Sequence, residues 1–157
     1  MQDMNFQEKM VITIEPAKET DCEELYTIFG DWDKTQAFSK ELFVSTFHLI
    51  LQDTHNSLLI ARDERQILGF VQIVKSMQLG LEPYYEVAEL LIKEAERGKG
   101  IGKRLLARAE AFAIEHNVYE TKLCSQVHRS RAHVFYENNG YEFCKISQFY
   151  EKNLRKP

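Results

Sequence analysis

Residues 88–106 constrain the fold of this chain more than any other stretch. The apolar run Ala88-Glu89-Leu90-Leu91-Ile92 enters a basic turn, Arg97-Gly98-Lys99-Gly100-Ile101-Gly102-Lys103-Arg104. Ile101, Leu105, Ala109, Phe112 and Ala113 then recur at helical spacing, so the turn opens a helix of several turns. Leu90 and Ile92 share one face of the preceding strand, as a buried strand beside a parallel neighbour requires. Three glycines at alternate positions strip side chains from a turn whose amides point outward. At a helix N-terminus such a turn suits phosphate oxygens, and Arg97, Lys99, Lys103 and Arg104 surround it with positive charge. Taken alone, the glycines would also fit an ordinary surface turn.

Two common phosphate loops do not fit. A P-loop needs Gly-Lys-Ser/Thr, and Lys103 is followed by Arg104, so no hydroxyl is placed for magnesium. A dinucleotide fingerprint needs a third glycine where Lys103 stands. The remaining pattern is Arg97-x-x-Gly100-x-Gly102 after a strand. It resembles the pyrophosphate loop of the GNAT superfamily of acyl-CoA-dependent N-acetyltransferases, whose loop amides hold coenzyme A.

The chain has 157 residues, enough for one domain with a real core. A net charge of −4 suggests no broad basic surface for nucleic acid, and the basic turn is a local patch suited to a small anion. No apolar run is long enough to span a membrane. Residues 1–9 lack the pattern of a signal peptide and read as a disordered extension, with Met10 as an alternative start. Cys22, Cys124 and Cys144 show no metal or disulfide spacing and read as reduced core thiols, so a cytoplasmic protein without a metal is expected.

Along the chain, residues 11–15 alternate as a strand, and Thr20-Asp21-Cys22-Glu23 reads as a capping box starting a helix that Gly30 ends. A polar loop around Trp32 precedes a second helix capped by Ser39. Residues 57–62 and 67–74 form a hairpin. A strand over 84–93, a helix over 100–116, a strand over 121–125 and a short helix over 131–138 follow. Residues 143–146 and 149–154 read as closing strands. This order predicts an α/β domain over residues 10–157, with a mixed twisted sheet of six to seven strands flanked by about four helices. It is also the GNAT order, so the resemblance covers nearly the whole chain.

A second segment, Ala132-His133-Val134-Phe135-Tyr136-Glu137-Asn138-Asn139-Gly140-Tyr141, resembles the family's other signature. Many members carry Asn three residues before its alanine, whereas here Arg129 holds that place. The variant Ser125…Arg129-x-x-Ala132-His133-x-Phe135-Tyr136 resembles a branch containing aminoalkylphosphonate and other small-amine acetyltransferases.

The resemblance implies an N-acetyltransferase that moves the acetyl group of acetyl-CoA to a primary amine of a small molecule, by direct attack in a ternary complex. Arg97, Gly98, Lys99, Gly100, Ile101, Gly102 and Lys103 would hold the pyrophosphate, and the amides of Leu91 and Ile92 the pantetheine arm. One amide of this strand would polarise the thioester carbonyl as charge develops on it. Tyr136 matches the position that protonates the departing thiolate; a phenol pKa near 10 suits that task. Arg129 would contact the coenzyme or an anionic substrate, or else pair with a nearby carboxylate. The amine must shed a proton, and Glu89 is the first candidate to accept it, directly or through water, with Glu86 the second. Their opposite parity puts only one in the cleft of a regular strand, unless a bulge intervenes. Trp32, with Asp31 and Asp33, and Tyr85 are further candidates for lining the substrate cleft. Dimers are frequent in the family, which makes a homodimer one expectation. A non-catalytic acyl-CoA-binding regulatory module, or an enzyme acting on protein N-termini or lysines, would use the same fold.

Overall fold

The computed structural model describes residues 11–32 and 38–155. Its contacts fall into two compact units, Met1–Cys124 and Ser125–Pro157.

The first unit carries a five-stranded sheet in sequence order. Strands β1 (Thr13–Pro16), β2 (Asn56–Arg62), β3 (Ile67–Ser76) and β4 (Tyr84–Ile92) pair antiparallel. Strand β5 (Thr121–Lys122) joins β4 in parallel through Tyr85 and Glu86 alone. The crossover is helix α3 (Ile101–Glu115), which covers one face, where Tyr85 meets Phe112 edge to face at 5.7 Å. Helices α1 (Cys22–Trp32) and α2 (Lys40–Gln52) cover the other face, where Leu25, Ile28 and Phe47 pack against Leu58, Ile60, Phe70 and Leu91. No helix among the described residues is long and apolar enough to cross a membrane.

The entry to α1 differs from the sequence reading. A 3-10 turn at Glu19–Asp21 precedes it, and Asp21, not Thr20, does the capping: its Oδ2 accepts the Lys18 amide at 2.7 Å. Asp21 also receives Arg62 from the end of β2, which neutralises an otherwise buried carboxylate. Gly30 does not stop the helix, which continues to Trp32. Ser39 caps α2 as its sequence suggests, its Oγ accepting the Leu42 amide at 3.0 Å. The hairpin turn is closed by Asp63, whose Oδ1 accepts the amides of Arg65 and Gln66, each at 2.8 Å. Those two bonds hold its carboxyl below the usual carboxylate range. Glu24 ties α1 to the hairpin and to β4 by accepting the Ile67 amide and Lys93 Nζ.

In the second unit α4 (Ser130–Asn138) ends in a tight cap. Gly140, at φ +86°, donates to Glu137, and Tyr141 donates to Tyr136 at 3.1 Å. This is the Schellman pattern, which needs a left-handed residue after the helix. Among the described residues the sheet has five strands, not six or seven, because residues 143–154 form none. Phe143, Ile146, Phe149 and Leu154 carry a strand-like apolar pattern, but none of them lies in a strand and all four are exposed. Strand β5 stops at Lys122, short of Ser125. Only Cys22 of the three thiols is in the core; Cys124 and Cys144 are exposed.

Candidate active site

The register of β4 sets the site. Gln72 faces Glu89, but Ile73 faces Val87, so Ala88 is an extra residue in the strand. Such a bulge changes side-chain parity along the strand. Glu89 opposes Gln72 and Glu86 opposes Val74, so both carboxylates emerge on the α1/α2 face. A regular strand would have separated them. The same shift sends Tyr85 to the α3 face. There it is 3% exposed and touches Phe112, and burial pushes its phenol pKa up. Tyr85 is therefore a core residue and not a cleft residue. Its neighbour Tyr84 lies under Lys122, with Nζ 4.0 Å from the ring centroid.

A cavity of about 170 Å³ opens on the α1/α2 face. Leu25 and Phe29 of α1, Phe43, Thr46, Phe47 and Ile50 of α2, and Leu58, Phe70, Gln72 and Glu89 of the sheet line it. Thr46 is exposed at its rim, while Leu25, Phe47 and Phe70 are buried at its floor. Among the described residues Glu89 is its only charged lining group, and Glu86 is not part of the wall. Gln72 Nε2 donates to Asn56 Oδ1 at 2.9 Å, which leaves the Gln72 amide its carbonyl and one N–H for further hydrogen bonds. Trp32 ends α1, and Asp33 falls among residues 33–37, outside the described residues.

Beyond the bulge, the outer edge of β4 is not paired with β5. Backbone alternation decides which amides face that edge. The Lys93 amide donates to Leu68 at 2.9 Å, which makes Leu68–Lys93 and Phe70–Leu91 the hydrogen-bonded pairs of the β3–β4 ladder. The Leu91 amide is thus turned to β3 and is not a donor on the outer edge. Leu90 and Ile92 turn outward. Gly69 permits this tight ladder, since a Cβ there would stand 2.5 Å from the Leu91 carbonyl.

The strand passes through a 3-10 turn, Glu94–Glu96, into the glycine loop. Gly98 and Gly100 sit at φ +78° and +80°, a left-handed conformation that side chains disfavour. Gly100 is the N-cap of α3, and the first helical bond runs from the Arg104 amide to its carbonyl at 3.1 Å. The amides of Ile101, Gly102 and Lys103 therefore have no helical carbonyl beneath them and carry the positive end of the helix dipole. No atom lies within 4 Å of a Cβ built on Gly98 or Gly100, so the loop surface is open.

The basic side chains divide. Arg97 Nε donates to the Ile92 carbonyl at 3.2 Å, bracing the loop against β4. Arg104 donates to the Ile12 carbonyl at 2.6 Å, and Lys99 pairs with Glu96 at 2.9 Å. Lys103 is exposed and has no ion-pair partner among the described residues.

In the second unit Tyr136 is half-buried and fixed by ring contacts with Phe135 and Tyr141, at centroid distances of 5.3 and 5.9 Å. The helix cap described above orients this pair, because it joins the backbones of Tyr136 and Tyr141. Arg129 is the N-cap of α4, and its carbonyl accepts the Ala132 and His133 amides. His133 Nε2 lies 3.0 Å from the Gln126 carbonyl, which marks it as a structural group of that turn.

Sequence reasoning missed the aromatic cavity. Its walls come from α1, α2 and three strands, and the only sequence signal was the density of Phe on the two helices.

Comparison with known proteins gives a consistent result. The model of the acetyltransferase (GNAT) family matches residues 19–141. An uncharacterised N-acetyltransferase, YhfO of Bacillus subtilis, is 26% identical over 134 residues, covering 83% of this chain and 90% of that protein. The aminoalkylphosphonate N-acetyltransferase of Salmonella typhimurium is 26% identical over 133 residues, covering 84% and 86%. Among solved structures, a transcriptional regulator from Bacillus halodurans superposes with a TM-score of 0.82 at 25% identity, over 90% of this chain and 100% of that one. The aminoglycoside N-acetyltransferase AAC(6')-Iy, in complex with CoA, gives 0.81 at 16% identity, over 91% and 95%, a likeness of fold.

Proposed function

The chain belongs to the acetyltransferase (GNAT) family, and from that premise we propose that it transfers the acetyl group of acetyl-CoA to the primary amine of a small molecule. The observation carrying the acceptor half is Glu89, the one carboxylate among the described residues in the wall of an open cavity, on the strand that leads into the glycine loop.

The donor fits the residues present. The open loop with left-handed Gly98 and Gly100, and the unpartnered first turn of α3, form an anion cradle for the CoA pyrophosphate. Ile101, Gly102 and Lys103 supply amides, and the Lys103 side chain supplies charge. Arg97 and Lys99 shape the loop through Ile92 and Glu96. The outward amides of Leu90 and Ile92 offer the pantetheine arm a strand-like edge. Acetyl-CoA, when bound, supplies an activated acetyl group as a thioester.

Glu89 accepts the proton that the amine loses on becoming a nucleophile, directly or through one water. Glu86, on the same face but outside the cavity wall, is the reserve carboxylate. The proton needed by the departing sulfur is assigned to Tyr136, and contact with the coenzyme to Arg129, on sequence resemblance alone.

The test is incubation of the purified protein with acetyl-CoA and a panel of primary amines, with detection of free thiol and of the N-acetyl product. Thiol release matched by amide formation is the expected result. Tight CoA binding without thiol release for any amine would favour a regulatory module, a role suggested by the neighbour described as a transcriptional regulator.

A further inference from the structure

Resting on that reading, we infer that the side-chain carbonyl of Gln72 is a second acceptor for the substrate amine beside Glu89, and that Asp53 and Asn56, at the turn between α2 and β2, fix its direction. Gln72 and Glu89 stand opposite each other across β3 and β4, and both line the cavity. Opposite residues of an antiparallel pair have Cβ atoms about 4.5–5.5 Å apart, so one nitrogen can reach both side chains.

The direction of the Gln72 amide follows from a chain of hydrogen bonds that starts at the C-cap of α2. That cap is Asp53, whose carbonyl accepts the Asn56 amide at 3.1 Å. Its Oδ1 accepts the His55 amide at 2.9 Å, and its Oδ2 accepts Asn56 Nδ2 at 2.5 Å. These bonds, the His55 amide first, hold the carboxyl below the usual carboxylate range, so it only accepts. Asn56 must then turn Nδ2 to Asp53 and Oδ1 to Gln72. Oδ1 also only accepts, so Gln72 turns Nε2 to it, at 2.9 Å. Reversing either amide would set two acceptors against each other. Asn56 lies on β2 and Glu89 on β4, on opposite sides of β3. With Nε2 engaged on the β2 side, the carbonyl is the end of the amide turned to the β4 side.

An ammonium group offers three N–H donors. One proton passes to Glu89, and the electron pair of that bond becomes the lone pair that attacks the thioester carbonyl. A second N–H stays on the Gln72 carbonyl and sets the direction of the pair. The carbon–nitrogen bond forms, the carbon–sulfur bond breaks with its electrons on sulfur, and the proton that nitrogen sheds after attack balances the one the thiolate takes up. A neutral carbonyl positions the amine without adding a second anion, which would hold it protonated.

The experiment measures thiol release with phenethylamine, putrescine and 2-aminoethylphosphonate in the parent, Gln72→Met, Asn56→Leu, the double variant and Gln72→Glu. For the amine turned over fastest, Gln72→Met should raise the amine KM about ten- to a hundredfold, the weight of a hydrogen bond to a charged group, while the acetyl-CoA KM holds. Asn56→Leu frees the amide to turn over and should raise the amine KM less. The double variant should be no worse than Gln72→Met alone, because Asn56 acts through Gln72. Gln72→Glu keeps an acceptor in place, so its amine KM should stay at or below the parental value. A parental amine KM in Gln72→Met, or a rise in Gln72→Glu equal to that in Gln72→Met, would overturn the second acceptor. Losses that add in the double variant would overturn the role of Asn56. Amine acetylation by the parent stands in all these cases. Absence of thiol release by the parent with every amine would instead remove the transfer reading, and the inference with it.

Discussion

Replacing Gly69 with alanine should damage both stability and donor binding, because one methyl group intrudes on the ladder that orients β4. The new Cβ would lie 2.5 Å from the Leu91 carbonyl oxygen and 2.7 Å from Ile92 Cδ1. The Ile92 side chain can rotate away. The carbonyl cannot, since it belongs to the Phe70–Leu91 hydrogen-bonded pair. Ordinary contact starts at 3.4 Å, so β4 must move by about 0.9 Å at that point. Overpacking of this kind costs about 1–3 kcal/mol. For a chain of this length each kcal/mol lowers Tm by roughly 2–4 °C, which gives an expected fall of about 2–12 °C. The strain falls where Ile92 turns its amide outward, so the KM for acetyl-CoA should rise at temperatures where the variant is still folded. Thermal unfolding followed by circular dichroism, with acetyl-CoA kinetics at 20–25 °C, reads both effects. A Tm within about 1 °C of the parent, with an unchanged KM, would refute the argument.

Other substitutions address single roles. Glu89→Gln should lower kcat/KM by roughly 10²–10⁴-fold near neutral pH, with the deficit shrinking at high pH, where the amine is already neutral; an unshifted pH–rate profile would point to Glu86 or water. Tyr136→Phe should lower kcat roughly ten- to a thousand-fold if the phenol protonates the leaving sulfur, and a parental rate would remove it from that role. Gly100→Val puts a β-branched side chain at φ +80° over the loop, so the acetyl-CoA KM should rise while the amine KM holds; equal KM values in titrations of both substrates would count against the pyrophosphate cradle. Asp21→Ala removes the acceptor of the Lys18 amide and one of the two carboxylates that face the part-exposed Arg62, which keeps Glu15 at 3.4 Å, and denaturant unfolding should report a loss of about 1–3 kcal/mol.

The legible parts of the chain were those whose cause is local. The glycine turn, the Ser39 cap, the hairpin at Asp63 and the Gly140 helix stop each depend on residues within a few positions of one another. The bulge at Ala88 was not legible, because it is defined against β3; without that register, Glu86 could not be placed beside Glu89 nor Tyr85 sent to the core. The turning of the Leu91 amide to β3 is likewise a property of the pair and not of the strand. The aromatic cavity required α1 and α2 to meet the sheet. The apolar alternation after residue 142 illustrates the reverse: a strand-like pattern does not by itself make a strand.

The extra residue at Ala88 makes β4 a jointed strand. From Leu90 onward its phase is set by β3 and by the turn that follows; from Tyr84 to Val87 it is set partly by the short pairing with β5. The two halves can be rewritten separately, as a swivel lets one end of a shaft be recut while the other keeps its angle. A scaffold of this kind can exchange acceptors without disturbing its donor, and a relative named for an aminoalkylphosphonate and a structure of like fold named for aminoglycosides share the frame of a chain whose cavity is lined by four phenylalanines.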